Sequence, residues 1–236
     1  MKTLYYLLAI AAVSITITSC RSKVEGEGVI NLHDAKIDNF ENLYLEIPAH
    51  VVIEENEIAS CTIACQDNIF NEINVYTKNK KLIIESSKKL VAQRPIEIRI
   101  TTPKVDYIDI TGNGTIEYNP TKYQDKLKIE LKGKSTVHSN INANEINFTI
   151  IDNGDVKLSG KTELLEGIIS GSGDLNANDL ITAKCKLEIN GSGNVRCCPS
   201  TLLNAIIHGS GNIYYKGTPE IKSEITGSGQ IKRETK

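Results

Sequence analysis

Seven short segments in the second half of the chain share one alternation of apolar and polar positions. Each is built on Gly-x-Gly or a degenerate form of it, starting at residues 112, 133, 152, 171, 191, 209 and 227. Two residues before each start stand Ile110, Leu131, Ile150, Ile169, Ile189, Ile207 and Ile225. Four residues after it stand Ile116, Val137, Val156, Leu175, Val195, Ile213 and Ile231. The position just after each start is polar throughout: Asn113, Lys134, Asn153, Ser172, Ser192, Ser210 and Ser228. Alternation of period two puts the aliphatic columns on one face of a strand and the polar column on the other. The repeat recurs every 18 to 21 residues, too short to bury its own apolar face, so neighbours must stack. The pattern predicts an all-β fold, a single-stranded β-helix-like β-solenoid with seven repeat coils over residues 106–231. At about 4.8 Å per strand, the stack extends about 33 Å. The glycines mark a bend where backbone approaches backbone.

Residues 40–105 alternate without repeating. Leu43, Leu45 and Ile47 form one apolar set, Val51 and Ile53 a second, Ile96, Ile98 and Ile100 a third. Lys78-Asn79-Lys80-Lys81 between apolar runs predicts a hairpin turn. Pro48, Pro95, Pro103 and Pro120 fall between runs. A hairpin-rich β region therefore precedes the coils.

The first 20 residues read differently. Lys2, the apolar run Leu4–Ile17 and then Thr18-Ser19-Cys20 describe a secretory signal over residues 1–19. Ile17-Thr18-Ser19-Cys20 resembles a bacterial lipobox, which makes Cys20 the expected lipid attachment point. Acyl chains there hold a domain at a membrane surface without a spanning helix. Residues 20–39, beginning with Arg21–Gly28, are expected to be a tether, and 232–236 a charged tail. The tether lacks a run of acidic residues after the cysteine. The expected location is the cell envelope, anchored to the outer membrane, on its periplasmic face or at the cell surface.

Composition narrows the function. There are 17 glycines, no tryptophan, 3 phenylalanines and a net charge of −2. Removing residues 1–19 removes one lysine, so 26 − 29 leaves −3. Few aromatics and no basic excess exclude a nucleic-acid partner. Twelve of the 17 glycines occupy the first and third slots of the seven repeats, leaving only Gly26, Gly28, Gly160, Gly167 and Gly217 elsewhere. Gly-Ser-Gly is thus structural, and no phosphate-loop pattern follows it. Asp155, Asp174, Asn194, Asn212 and Gln230 fall in one column and predict a polar ladder. Cys61, Cys65, Cys185, Cys197 and Cys198 have no zinc-ligand spacing, and their disulfide state stays open. His33, His50, His138 and His208 lie in no metal or triad pattern, so no cofactor, metal or catalytic residue is assigned.

Phe40 leading into alternating strands, the hairpin around Asn79, Ile96-Glu97-Ile98-Arg99-Ile100 with Pro103, and the repeats ending in Gly227-Ser228-Gly229 resemble the auto-transporter adhesin, head GIN domain family of Bacteroidetes. The resemblance covers residues 40–231. It implies a β-solenoid-like domain on secreted or lipid-anchored envelope proteins, with no assigned activity.

A structural or adhesive binding role is therefore expected, with a glycan or an envelope protein as partner. Tyr118, Tyr123, Tyr214 and Tyr215 are the expected ligand contacts, since aromatic faces stack on sugar rings. The alternative is a carbohydrate-active lyase or glycosidase on the same scaffold. Glu188 and Glu224, two coils apart with Ile206 between, fit inverting geometry loosely. The C-terminal end, flanked by Lys232, Arg233 and Lys236, is expected to discourage strand pairing or to dock a partner or second copy.

Overall fold

The computed structural model describes residues 22–234; the signal segment, Cys20 and Lys236 lie outside them. Strands dominate the chain. Its first half contains β1 (Lys23–Glu25), β2 (Ile30–Ala35), β3 (Asn42–Leu45), β4 (Ala49–Glu55), β5 (Ser60–Gln66), α1 (Asp67–Phe70), β6 (Asn74–Lys78), β7 (Lys81–Glu85), β8 (Lys89–Val91) and β9 (Ile96–Thr102). The coils follow as β10 (Tyr107–Gly112), β11 (Thr115–Tyr118), β12 (Gln124–Gly133), β13 (Thr136–Asp152), β14 (Asp155–Gly171) and β15 (Asp174–Gly191). The stack ends with β16 (Asn194–Gly209), β17 (Asn212–Tyr215), β18 (Glu220–Gly227) and β19 (Gln230–Arg233).

The coils form a parallel β-solenoid whose register follows the sequence columns. Ile110 pairs with Leu131, Leu131 with Ile150, and so on through Ile169, Ile189 and Ile207 to Ile225. The second column runs unbroken from Ile116 to Ile231. Both columns are buried through the sixth coil, one continuous apolar filling that no single coil could supply. The polar ladder forms as well: Asn194 Nδ2 donates to Asp174 Oδ1 at 3.1 Å and Asn212 Nδ2 to Asn194 Oδ1 at 3.2 Å.

The first half of the chain is less a set of hairpins than an extension of the same stack. β3 and β4 pair in parallel with β10 and β11, placing Leu45 beside Ile110 and Val51 beside Ile116. β7 and β9 form the next layer outward, with Ile84 beside Leu45 and Ile98 beside Val51. The chain thus lays down the layer beside the coils first, then the outer one, and crosses back over to begin the coils. One predicted hairpin is present, β6–β7, turned by Asn79 and Lys80 at φ 51° and 58°, the left-handed pair of a type I′ turn.

Residues 20–39 are not a loose tether within the described part. β1 pairs in parallel with β8, and β2 pairs antiparallel with β5. Val24 and Ala35 pack against the core, so enough apolar surface is buried to order the segment. The five described cysteines are free thiols; Cys61 and Cys65 both lie buried on β5.

His50 clips the outer layers to the first coil. Its Nδ1 lies 2.7 Å from Glu97 on β9 and its Nε2 3.2 Å from Glu117 on β11. Burial alone would lower the imidazole pKa, but hydrogen bonds to Glu97 and Glu117 outweigh it, and the net shift is upward. A raised folded value means the contribution is complete below the unfolded value of about 6.5 and is lost as pH rises through the folded one. Thermal melts of wild type and His50→Gln should therefore differ most at mildly acid pH and converge at alkaline pH. The side chains are partly exposed, so the difference should stay below about 1 kcal/mol. A constant gap across pH would remove the ion pairs as its cause.

Candidate ligand-binding cleft

Where the N-terminal layers meet the first coils, the wall opens into a cleft of about 810 Å3. Four separate stretches build it: residues 39–41, Lys80 of the hairpin turn, the crossover 103–106, and residues 122–128 at the start of β12. Phe40 is buried beneath it, its carbonyl accepting a hydrogen bond from Thr102 Oγ1 at 3.0 Å. Five lysines (80, 104, 122, 126 and 128) and three acids (Glu41, Asp106 and Asp125) line it, and acids just outside the lining pair with three of those lysines: Glu57 with Lys122, Glu145 with Lys126 and Glu130 with Lys128.

Most of these charges are held in place. Lys80 Nζ lies 3.0 Å from Glu41, and Lys104 2.6 Å from Asp106. The Lys80 ammonium beside Glu41 draws its pKa below the usual carboxylate range, and the Asp106 carboxylate raises that of Lys104. Tyr123 stands at the rim, 60% exposed. Its hydroxyl donates to Asn144 Oδ1 at 2.9 Å, and Asn144 Nδ2 donates to Asp125 Oδ1 at 2.9 Å. The Glu55 carboxylate accepts from the Thr121 backbone N–H at 3.1 Å and from the Thr121 hydroxyl, fixing the segment below the ring. The cleft thus offers a pinned aromatic face beside a floor of ion-paired lysines.

The four tyrosines do not form one wall. Tyr118 is 0% exposed; as a ligand contact it is corrected to a core residue. It sits at an inward position of β11, and its hydroxyl accepts the Val105 N–H at 3.0 Å. Burial pushes that hydroxyl up to about 12. Tyr214 lies on β17, several coils from Tyr123, with the Arg196 guanidinium 5.1 Å above its ring. Tyr215 is partly buried against the core. Only Tyr123 presents a free face to a cavity.

The outward acids align as the columns require: Glu188 pairs with Ile206, and Ile206 with Glu224. Glu188 Oε1 accepts from Asn190 Nδ2 at 2.7 Å. A shallower groove of about 480 Å3 runs along this wall past Ile168, Lys186, Glu188 and Ile206. Toward the N-terminal layers the same wall carries a cation–π ladder. Lys81 lies 4.8 Å from the Tyr44 ring and Lys128 4.9 Å from that of Tyr107. Lys132 and the Tyr107 hydroxyl hold the Glu130 carboxyl down at about 2. Among the described residues, no group of three or more His, Cys, Asp or Glu is arranged to hold a metal ion.

The lysine cleft left no signal in the sequence, because its residues, from Asn39 to Lys128, are up to 89 positions apart and share no motif. Part of the cation–π ladder was legible in principle: Tyr107 and Lys128 each stand three residues before a column position, Ile110 and Leu131, and pair with one another.

A parallel β-solenoid with a charged cleft at one end of its wall defines the class. The chain belongs to the family described as "Putative auto-transporter adhesin, head GIN domain", whose model matches residues 39–219. No curated protein matches it. Among solved structures, a "putative adhesin" from Bacteroides fragilis is 25% identical, with a TM-score of 0.84 over 89% of this chain and 100% of that one. A "putative lipid binding protein" from Parabacteroides distasonis is 18% identical, with a TM-score of 0.73 over 91% and 100%. A "putative adhesin" from Parabacteroides merdae is 20% identical, with a TM-score of 0.61 over 91% and 100%. These likenesses support a structural or binding role.

Proposed function

We propose that the chain is a lipid-anchored envelope protein that binds an acidic polysaccharide in the cleft between its N-terminal layers and first coils, without turning it over. The observation that carries this reading is the pinned, exposed Tyr123 ring beside five lysines. An aromatic face takes the apolar side of a sugar ring, and five lysines held by partly exposed, individually weak ion pairs can exchange those partners for the carboxylates or sulfates of an acidic saccharide. The adhesin family and the envelope setting it implies agree with this, as does the lipobox ending in Cys20.

The test is a glycan array of acidic and neutral polysaccharides, followed by affinity and turnover measurements on the hits. Acidic glycans should bind preferentially, and more weakly as salt rises. Tyr123→Ala should weaken binding about 2- to 10-fold, and Cys20→Ala should move the protein from the membrane to the soluble fraction. Equal binding of neutral glycans, or no response to Tyr123→Ala, would remove the cleft from consideration. The aligned Glu188, Ile206 and Glu224 favour a second reading, hydrolysis along the wall. Product release that Glu188→Gln abolishes would establish that reading instead.

A further inference from the structure

The last described coil of the solenoid is open on one side. β18 pairs with β16 on one side, and among the described residues no strand register runs along its other edge, β19 pairing instead with β17. All eight of its residues are exposed. Ile221 and Ile225 continue the columns of Leu203 and Ile207, yet they are 41% and 42% exposed where Leu203 and Ile207 are fully buried. An edge with free N–H and C=O groups and two uncovered isoleucines is a template for another strand.

The residues of β18 specify what that strand is. Inward Ile221, Ser223 and Ile225 alternate with outward Glu220, Lys222 and Glu224. In an antiparallel pair, opposed residues share a face. When β18 meets a second β18 about a two-fold axis through Ser223, Ile221 faces Ile225 of the other copy and Lys222 faces its Glu224. Both contacts occur twice by symmetry. Centring on Lys222 instead sets lysine against lysine and glutamate against glutamate. Centring on Glu224 sets two glutamates together and leaves Ile221 opposite Gly227. Centring on Ile221 or Ile225 leaves half the strand unpaired, and shifts by one residue turn the isoleucines outward. One register alone keeps the whole strand paired with matched charge and matched apolar positions. The existing Lys222–Glu220 contact, at 3.3 Å between well-exposed groups, is weak enough to yield to it.

We propose that the protein forms a two-fold dimer by antiparallel pairing of β18 with β18 of a second copy, so that two solenoids share one continuous wall. The charges that line this edge oppose mismatched strands and select its own copy at a single register. This goes beyond the cleft, which lies at the other end of the coils.

The test is sedimentation of the full chain, in detergent, over a concentration series. Wild type should pass from monomer to dimer. Lys222→Glu and Glu224→Lys each replace two opposite-charge pairs with two like-charge pairs and should weaken the dimer about 10- to 100-fold. The double swap Lys222→Glu/Glu224→Lys should restore it. An equimolar mixture of the two single variants should form a heterodimer, because the four opposed positions are again complementary. A wild type that stays monomeric at its highest soluble concentration overturns the proposal. So does a growing filament, which signals head-to-tail stacking on another edge, or a dimer indifferent to both single reversals.

Discussion

Replacing Gly193 with alanine is expected to destabilise the protein by about 3–5 kcal/mol, near the upper end for a single substitution. Gly193 fills the third slot of the fifth coil, facing inward. A Cβ there would lie 2.1 Å from the carbonyl oxygen of Gly173 and 2.8 Å from the Ile169 Cγ2 methyl. The nearer contact is backbone in the coil below, so no rotamer change can relieve it. Nor can Gly193 move away, because Gly211 of the next coil stands equally close above, its own Cβ position 2.3 Å from the Gly193 oxygen. Relief requires widening the stack at that level, which lengthens the hydrogen bonds on both sides and opens gaps in the buried columns. Ser192, the neighbouring residue, is exposed, so Ser192→Ala should change stability by less than about 0.5 kcal/mol. Urea unfolding of the two variants beside wild type checks the contrast. Equal stabilities would mean that the coils are looser than their spacing implies.

The glycine columns explain why so much of this fold was legible. A solenoid repeats one local solution, and seven copies of it let weak single-repeat signals reinforce each other in register. Where a slot had lost its glycine, the coil still forms. Asp152 holds φ 73° at a first slot, a left-handed conformation that aspartate tolerates better than most residues, and it stays paired between Gly133 and Gly171. Of the glycines outside the columns, Gly167 also has a packing reason. The Phe148 ring of the coil below lies where its side chain would be, 2.4 Å from the Cβ position.

What could not be read was non-local order. Leu45 and Val51 carry the same alternation as the coils, but Ile47-Pro48-Ala49 replaces the glycine bend, so nothing marked them as another layer. The stacking of β3 between β7 and β10 also reverses chain order, which no column alignment anticipates. β1 and β2 look like polar tether because their pairing partners, β8 and β5, lie more than 25 residues away. The cleft is a product of this crossing back. Only when residues 103–106 return from the outer layer to the first coil do Lys80, Lys104 and Lys122 come together. Tyrosine positions fared worst, since a tyrosine is at home on either face of a strand. Tyr118 turned inward while Tyr123, in a loop, turned out.

Tyr118 carries the second large expected effect, and it ties stability to the cleft. Tyr118→Ala should cost about 3–5 kcal/mol, the range for emptying a fully buried aromatic site. Tyr118→Phe should cost about 1–3 kcal/mol through a different cause. It preserves the ring but leaves the buried Val105 N–H, now bound at 3.0 Å by the hydroxyl, without an acceptor. Because burial holds the hydroxyl pKa up at about 12, it is neutral across the working pH range, and this loss should not vary with pH below about 9. Val105 sits in the crossover that positions Lys104 and Asp106 at the cleft. Tyr118→Phe should therefore speed amide exchange at Val105 more than at Ile169 or Ile189 deep in the stack, and loosen the proposed glycan cleft without touching it. Phenylalanine as stable as tyrosine, with Val105 exchange unchanged, would mean the crossover is held by its apolar packing alone.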